Sequence, residues 1–367
     1  MYLNYLLVLL KIKILKKITK TIFLLIFCTT LWGQVPVYYQ SINLNLTGDL
    51  LKNELSNLII NTHQNLIPYT SSNSIDTWDV IKSSDVFAFD TSKVMLVYGF
   101  DDNDAIVEND RTRAKSLSCH TNSCFGFWNR EHVFPRSLAS PNLTTFNPGP
   151  GTDVHNLRAA DSQKNTQRSN RLFVNGEGHS KIIDDNFYPG DEWKGDIARI
   201  IMYMYLRYPG QCEATNSAVG SITYAPENDM PDLFLEWNQQ DPVSDLEIVR
   251  NNIIYSYQGN RNPFIDNPFL ATLIWGGPET DDVWAVLSDS YLHENSITIL
   301  PSLTKNLIKL HGVKENKFKV LIINQLGQIV IEIENERSID VSNLNAGVYF
   351  LKLSHSNTFL QSKFIVK

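Results

Sequence analysis

The sequence predicts an α+β protein, with a mostly helical first domain and a small C-terminal β-sandwich. Three observations carry this expectation. Between residues 47 and 257, apolar residues recur at helical spacing in several separate segments. From about Ser296 they alternate in strand fashion between turn residues. The polar, turn-rich run Gly276-Gly-Pro-Glu-Thr-Asp-Asp282 stands between the two regions. With 43% hydrophobic and 19% charged residues in 367, the composition is that of a globular chain and not of a disordered one.

The N-terminus carries an export signal. A basic stretch from Lys11 to Lys20 precedes an apolar core beginning Ile22-Phe-Leu-Leu-Ile-Phe27, too short to span a bilayer, and Leu31-Trp-Gly33-Gln34 offers a cleavage neighbourhood. Residues 1–33 are therefore expected to be a signal peptide, with no stable membrane span in the mature protein. Thr47 is placed to cap a first helix with Leu51, Leu55, Leu58 and Ile59 on one face, and Thr77–Ser83 forms a second. Lys93–Gly99 has the composition of a buried strand. It runs into Asp101, Asp102, Asp104, Glu108 and Asp110, whose spacing fits a solvated loop and not an EF-hand. Cys119 and Cys124 can close a small disulfide loop, remain free thiols, or join His120 at a zinc ion; a disulfide would leave Cys212 over.

Ala139–Gly151, with Pro141, Pro148 and Pro150 beside two glycines, is an irregular connection. The segment from Arg158 to Leu172 is expected to be helical, carrying Asn165 and, a turn on, Arg168 or Ser169 along one side. Asp196–Tyr208 is an apolar core helix, and Asp232–Gln239 and Leu246–Tyr257 complete the domain. The Gln258–Pro263 turn caps the last of these. The domain so built covers residues 34–275, a linker 276–295, and the sandwich 296–367, with strands at Lys319–Ile323, Ile329–Ile333, Val348–Leu353 and Phe359–Val366.

The chemistry is concentrated between Trp128 and Leu172. A neutral imidazole is the side chain best suited to take a proton from water near neutral pH, and His132 follows Glu131 directly. A carboxylate and an amide oxygen are hard donors suited to Mg2+ or Ca2+. Adjacent strand residues point to opposite faces, so Glu131 and His132 can serve one site only where a strand ends or bends, and Pro135 suits such an ending. The formal charge is −7, and because the first 33 residues hold five lysines and no acids, the remainder carries −12. Residues 111–175, however, hold nine Lys/Arg against three Asp/Glu, which favours a polyanionic ligand locally.

These residues resemble the endonuclease I family of secreted bacterial nucleases, which carry a ββα-metal (His-Me finger) site. The likeness rests on Glu131-His-x-x-Pro135, Asp153-x-His155-Asn156-Leu157, Asn165 and Arg168-Ser-Asn170. It continues in Gly195-Asp-Ile-Ala-Arg199, Trp237-Asn238 with Asp241-Pro-Val243-Ser-Asp245, and Gln258-Gly-Asn260-Arg-Asn262-Pro263-Phe264. The resemblance implies that His132 is the general base and that Glu131 and Asn165 hold one Mg2+, with Ca2+ or Mn2+ as substitutes. It further implies that His155 and Asn156 brace the loop. Arg168 is the candidate phosphate clamp, with Arg130, Arg136 and Arg158 as weaker ones. The substrate implied is DNA, and RNA as a second class, cut with little sequence specificity to leave 5′-phosphates.

At the other end, Leu326-Gly-Gln328, Ile339-Asp-Val-Ser-Asn-Leu344, Ala346-Gly-Val-Tyr-Phe-Leu351 and Lys363-Phe-Ile-Val-Lys367 resemble the C-terminal sorting domain of the type IX secretion system of Bacteroidetes. This implies that machinery as a partner and a secreted or cell-surface location. Two other function classes compete. A non-catalytic surface-binding or adhesion protein on a nuclease-like scaffold would not need Glu131, His132 and Asn165 intact. A zinc hydrolase using His120, His132 and His155 would want a His-x-x-x-His pair on one helix, which the sequence lacks.

Overall fold

The computed structural model describes residues 35–121, 124–284, 286, 298–300, 303–311, 317–325, 328–355 and 358–367. The expected signal peptide, half of the expected linker and the Leu326-Gly327 pair lie outside the described residues. The chain divides into two units, one ending at Trp284 and the other beginning at Ala285.

In the first unit, α1 (Gly48–Thr62) buries Leu51, Leu55 and Ile59, each worth about 1.5–3 kcal/mol of transfer free energy, while Leu58 is half-buried. Thr47 occupies the cap position but its side chain makes no cap bond. Helix α2 (Thr77–Ser84) has a full capping box: the Asp76 carboxylate accepts from the amides of Trp78 and Asp79, and Asp79 returns the bond to the Asp76 amide. Strand β1 (Lys93–Met95) pairs antiparallel with β2 (Thr112–Ala114) and is shorter than the expected Lys93–Gly99. Beyond Met95 the backbone turns, and Tyr98 takes a φ of +73°. The acidic segment that follows is a loop in which Asp102 and Asp104 accept backbone amides of Arg111, Thr112 and Ile106.

Strands β3 (Trp128–His132) and β4 (Leu157–Asp161) pair antiparallel, and α3 (Ser162–Arg168) follows β4 directly. This corrects the expected helix from Arg158 to Leu172. Residues 158–161 are drawn into the ladder because the amide of Ala159 bonds the buried Asp85 carboxylate at 2.8 Å and its carbonyl accepts from Val97. The helix begins only where the Asp161 side chain takes the amides of Gln163 and Lys164. Behind the strand pair lies an apolar cluster containing Trp78, Ile81, Leu96, Trp128, Leu157 and Ile254.

A small hairpin of β5 (Lys181–Ile183) and β6 (Asn186–Tyr188) precedes α4 (Lys194–Arg207), which is buried on nearly every side. Then come α5 (Asp232–Gln240), α6 (Asp245–Gln258), α7 (Pro263–Asp266) and α8 (Phe269–Trp275). The expected cap after α6 is present: Gly259 ends it in the left-handed region at φ +88°. Among the described residues, no helix is long and apolar enough to cross a membrane.

From Thr298 onwards, the regular elements among the described residues of the second unit are strands. β7 (Thr298–Leu300), β8 (Leu303–Thr304), β9 (Leu307–His311), β10 (Lys319–Ile323), β11 (Ile329–Glu334), β12 (Ser338–Asp340), β13 (Gly347–His355) and β14 (Thr358–Val366) form two sheets. The five-stranded one has the order β11-β10-β13-β14-β8, and the three-stranded one β12-β9-β7. Alternation buries Val320 and Ile322 of β10, and these share one cluster with Leu351, Leu353, Ile308 and Ile339 from both sheets. The fold class is mixed α+β.

Candidate active site

Strand β3 ends at His132, so the condition for Glu131 and His132 to serve one site is met. Both line a cleft of about 540 Å³ together with Arg130, Pro135, Arg136, Ser137, Asn142, Leu143, Asn165, Ser169 and Asn170. The chain beyond the strand is clamped by Asn156. Its side chain is fully buried, accepts from the amide of Phe134 at 2.7 Å and donates to the Phe134 carbonyl at 3.2 Å, while its own carbonyl takes the amide of Val133.

The imidazole of His132 is oriented by Gly151, whose carbonyl lies 2.8 Å from Nε2. A carbonyl only accepts, so Nε2 carries the proton and Nδ1 is the basic nitrogen. Tyr69 stacks on the ring at 5.7 Å between centroids. Burial, together with the positive charges of Arg136, Arg130 and Arg168, holds the ring down at about 4 against the Gly151 bond, so it is neutral at physiological pH.

Glu131 is buried, 3% exposed. The Tyr98 hydroxyl donates to Oε1 at 2.9 Å, and Nε of Arg168 lies 3.4 Å from the same oxygen. Burial pushes the carboxyl up to about 7 despite these two partners. Asn165, on α3, donates from Nδ2 to the Asn129 side-chain oxygen at 2.7 Å, which leaves its own Oδ1 as a free hard donor. One carboxylate oxygen and one amide oxygen at the edge of a polar cleft fit a hard divalent cation that keeps several waters.

The structure thus brings together Glu131, His132, Asn165, Arg130 and Arg136, and places the other expected residues elsewhere. Arg168 is fully buried under the site. It donates to the carbonyls of Val133 at 2.8 Å and Ser169 at 2.9 Å, and packs over Phe173. Arg158 is fully buried between Asp85 and Asp196, and does not line the cleft. His155, 2% exposed, packs on Tyr203 with Nε2 3.4 Å from the Asn260 carbonyl. Arg130 lines the cleft but is stacked on Tyr69 and Trp78, and bonds Thr77. Arg136 is exposed at the rim, its Nε bonded to the Leu143 carbonyl.

The local excess of basic residues therefore overstates the positive charge of the cleft. Arg113 and Arg158 are consumed by Asp110, Asp161, Asp85 and Asp196, three of which lie outside residues 111–175. Sequence reasoning missed Tyr98, Asn129, Tyr69 and the Gly151 carbonyl. Only Gly151 left a trace, in the Pro/Gly-rich connection. Its backbone approaches so closely that an added Cβ would meet the Thr144 carbonyl oxygen at 2.0 Å. Cys119 and Cys124 are disulfide-bonded, which removes the zinc alternative there, and Cys212 is free and buried.

The model of the Endonuclease I family matches residues 47–269, and that of the secretion system C-terminal sorting domain matches residues 299–367. The chain is 35% identical over 254 residues to an extracellular ribonuclease of Bacillus subtilis (strain 168), covering 66% of this chain and 80% of that protein. It is likewise 35% identical over 253 residues to the extracellular ribonuclease of Bacillus amyloliquefaciens, covering 66% and 79%. Similarity to Endonuclease-1 of Buchnera aphidicola subsp. Baizongia pistaciae (strain Bp) is 29% over 126 residues, covering 31% of this chain and 46% of that one. With that match spanning the cleft and the elements that build it, the chain belongs to the Endonuclease I family and carries a C-terminal secretion sorting domain.

Proposed function

We propose that this secreted nuclease is a divalent-metal-dependent endonuclease that hydrolyses phosphodiester bonds of DNA, and of RNA, with little sequence specificity. The observation that carries this is the convergence of Glu131, His132 and Asn165 on one cleft, with His132 held so that Nδ1 is its basic nitrogen. We read β3, β4 and α3 as the ββα-metal finger. Glu131 and Asn165 would hold Mg2+, Ca2+ or Mn2+, which when bound supplies charge neutralisation at the phosphoryl oxygens and the leaving group. His132 takes a proton from water at Nδ1. The water oxygen bonds to phosphorus, the bond to the 3′-oxygen breaks, and the new end is a 5′-phosphate. Arg136, exposed at the rim, is the better phosphate contact, with Arg130 beside it. Arg168 acts through Glu131, because its guanidinium is occupied beneath the site.

The rival zinc hydrolase is disfavoured because His120 sits against Trp78 and His155 against Tyr203, neither of them lining the cleft with His132. We assign the second unit, as a β-sandwich, to delivery through the type IX machinery, and the first to catalysis. The test is cleavage of supercoiled plasmid and of structured RNA by the mature chain. Nicking should require Mg2+, stop in EDTA, and be lost in His132→Ala. No cleavage with any divalent ion would favour a non-catalytic surface-binding protein instead.

A further inference from the structure

We propose that Tyr98 is a positioning residue for Glu131, its hydroxyl fixing the carboxylate in the orientation that receives the divalent cation; this rests on the metal-dependent reading of the cleft. Tyr98 is fully buried and reaches Oε1 of Glu131 at 2.9 Å. The last torsion of a glutamate is broad and roughly two-fold, so an unheld carboxylate rotates. The hydrogen bond from Tyr98, with the Arg168 guanidinium as an ion-pair contact on the same oxygen, restricts that rotation and so sets the direction of the other oxygen.

The backbone shows what is needed to deliver that hydroxyl. Tyr98 sits at φ +73°, a region a bulky side chain rarely adopts, although a glycine stands next in sequence. Such a conformation persists only where its surroundings over-determine it, commonly at functional sites. Here Ser180 Oγ donates to the Tyr98 carbonyl at 2.7 Å, and the amide of Val97 bonds the Ala159 carbonyl of β4 at 2.8 Å. Trp193 Nε1 donates to the Gly99 carbonyl at 2.9 Å, and the Phe187 ring packs edge-on at 4.9 Å. Four separate segments of the unit hold one phenol against one carboxylate. Partners of this kind, bonded to a ligating side chain, typically change metal affinity about 10–100-fold when removed.

The experiment compares the mature chain with its Tyr98→Phe variant, which keeps the ring and loses only the hydroxyl. Mn2+ binding is measured without nucleic acid, by calorimetry or by the electron paramagnetic resonance signal of free Mn2+, alongside metal-free thermal unfolding. The expected result is a Kd for Mn2+ raised about tenfold, with a melting temperature close to the parent's. The KM for nucleic acid at saturating metal should be unchanged. A folded Tyr98→Phe protein with the parent's Mn2+ affinity overturns the proposal. Should that variant not fold, Ser180→Ala, which releases the Tyr98 backbone, decides: weaker Mn2+ binding supports the proposal and unchanged binding overturns it. If the parent chain binds no Mn2+, the metal-dependent reading of the cleft falls and this inference falls with it, a result distinct from a change confined to the variant.

Discussion

Replacing Arg168 by alanine should lower stability far more than it weakens substrate binding. The guanidinium is fully buried, bonded to the Val133 and Ser169 carbonyls at 2.8 and 2.9 Å, and set 3.4 Å from the Glu131 carboxylate. Removing one partner of a buried pair leaves the other charge uncompensated, at a cost of about 3–5 kcal/mol. For a unit of this size that corresponds to a fall in Tm of roughly 6–20 °C. A clamp that reached into the cleft would behave otherwise. Its removal would cost within about 0.5 kcal/mol of stability and act mainly on KM. The two measurements are metal-free thermal unfolding and the KM for nucleic acid. Arg136→Ala, at the exposed rim, serves as the contrast: Tm should be unchanged and KM should rise. An Arg168→Ala protein with the parent's Tm and a raised KM would refute the buried, positioning role.

Three further outcomes follow from the geometry. His132→Ala should lower kcat about 10²–10⁴-fold with the fold intact. Because the parent ring is held down at about 4, it keeps its base form as pH falls, and cleavage should show no His132-dependent acid limb at the ordinary histidine value near 6.5. A limb there that disappears in the variant would contradict this assignment. Gly151→Ala places a Cβ against the Thr144 carbonyl, so the loop must shift and the Gly151 carbonyl leave Nε2; cleavage should fall more steeply than stability. His155 and Asp153 should lose their contributions to the stability of the first unit in two separate acid stages, followed by unfolding at stepped pH. His155 is held down at about 3 by burial, so the unfolded chain takes up its proton first, and the contribution of this group to stability declines as pH drops below about 6.5. Asp153 is held at about 2: burial raises it, but His63, His155 and bonds from Gln258 and Tyr203 more than reverse this. Its contribution is present above about 4 and lost as pH falls towards 2. Because Glu131, pushed up to about 7 by burial, works in the opposite direction over this range, the first stage is read as the difference in pH slope between the parent and a His155→Gln variant; equal slopes between about pH 7 and 4 would exclude it.

Much of the catalytic unit was legible because its helices are amphipathic or wholly apolar and carry their own stop signals. Leu51, Leu55 and Ile59 mark α1, and Gly259 ends α6 where a left-handed residue is needed. The alternation of β10 revealed its buried face in the same way. The boundary between β4 and α3 was not legible. Ala159 and Ala160 favour helix by propensity, and only pairing with β3 and the Asp85 carboxylate makes them strand.

At the site, the sequence by itself determined the candidate reacting groups: a glutamate beside a histidine, an asparagine downstream, and Pro135 to end the strand. These are local properties of chemistry and spacing. What only the tertiary structure decided is which arginines line the cleft. Arg130, Arg136, Arg158 and Arg168 are equivalent as letters, yet Asp85 and Asp196 neutralise Arg158, and Arg168 is turned inward to backbone carbonyls. Tyr98, Asn129 and Gly151 likewise gain their roles from contacts 33, 36 and 19 residues distant in the chain. A side chain's charge and hydrogen-bonding capacity are written in its identity, but whether they face substrate or are spent inside depends on partners that only folding brings within reach.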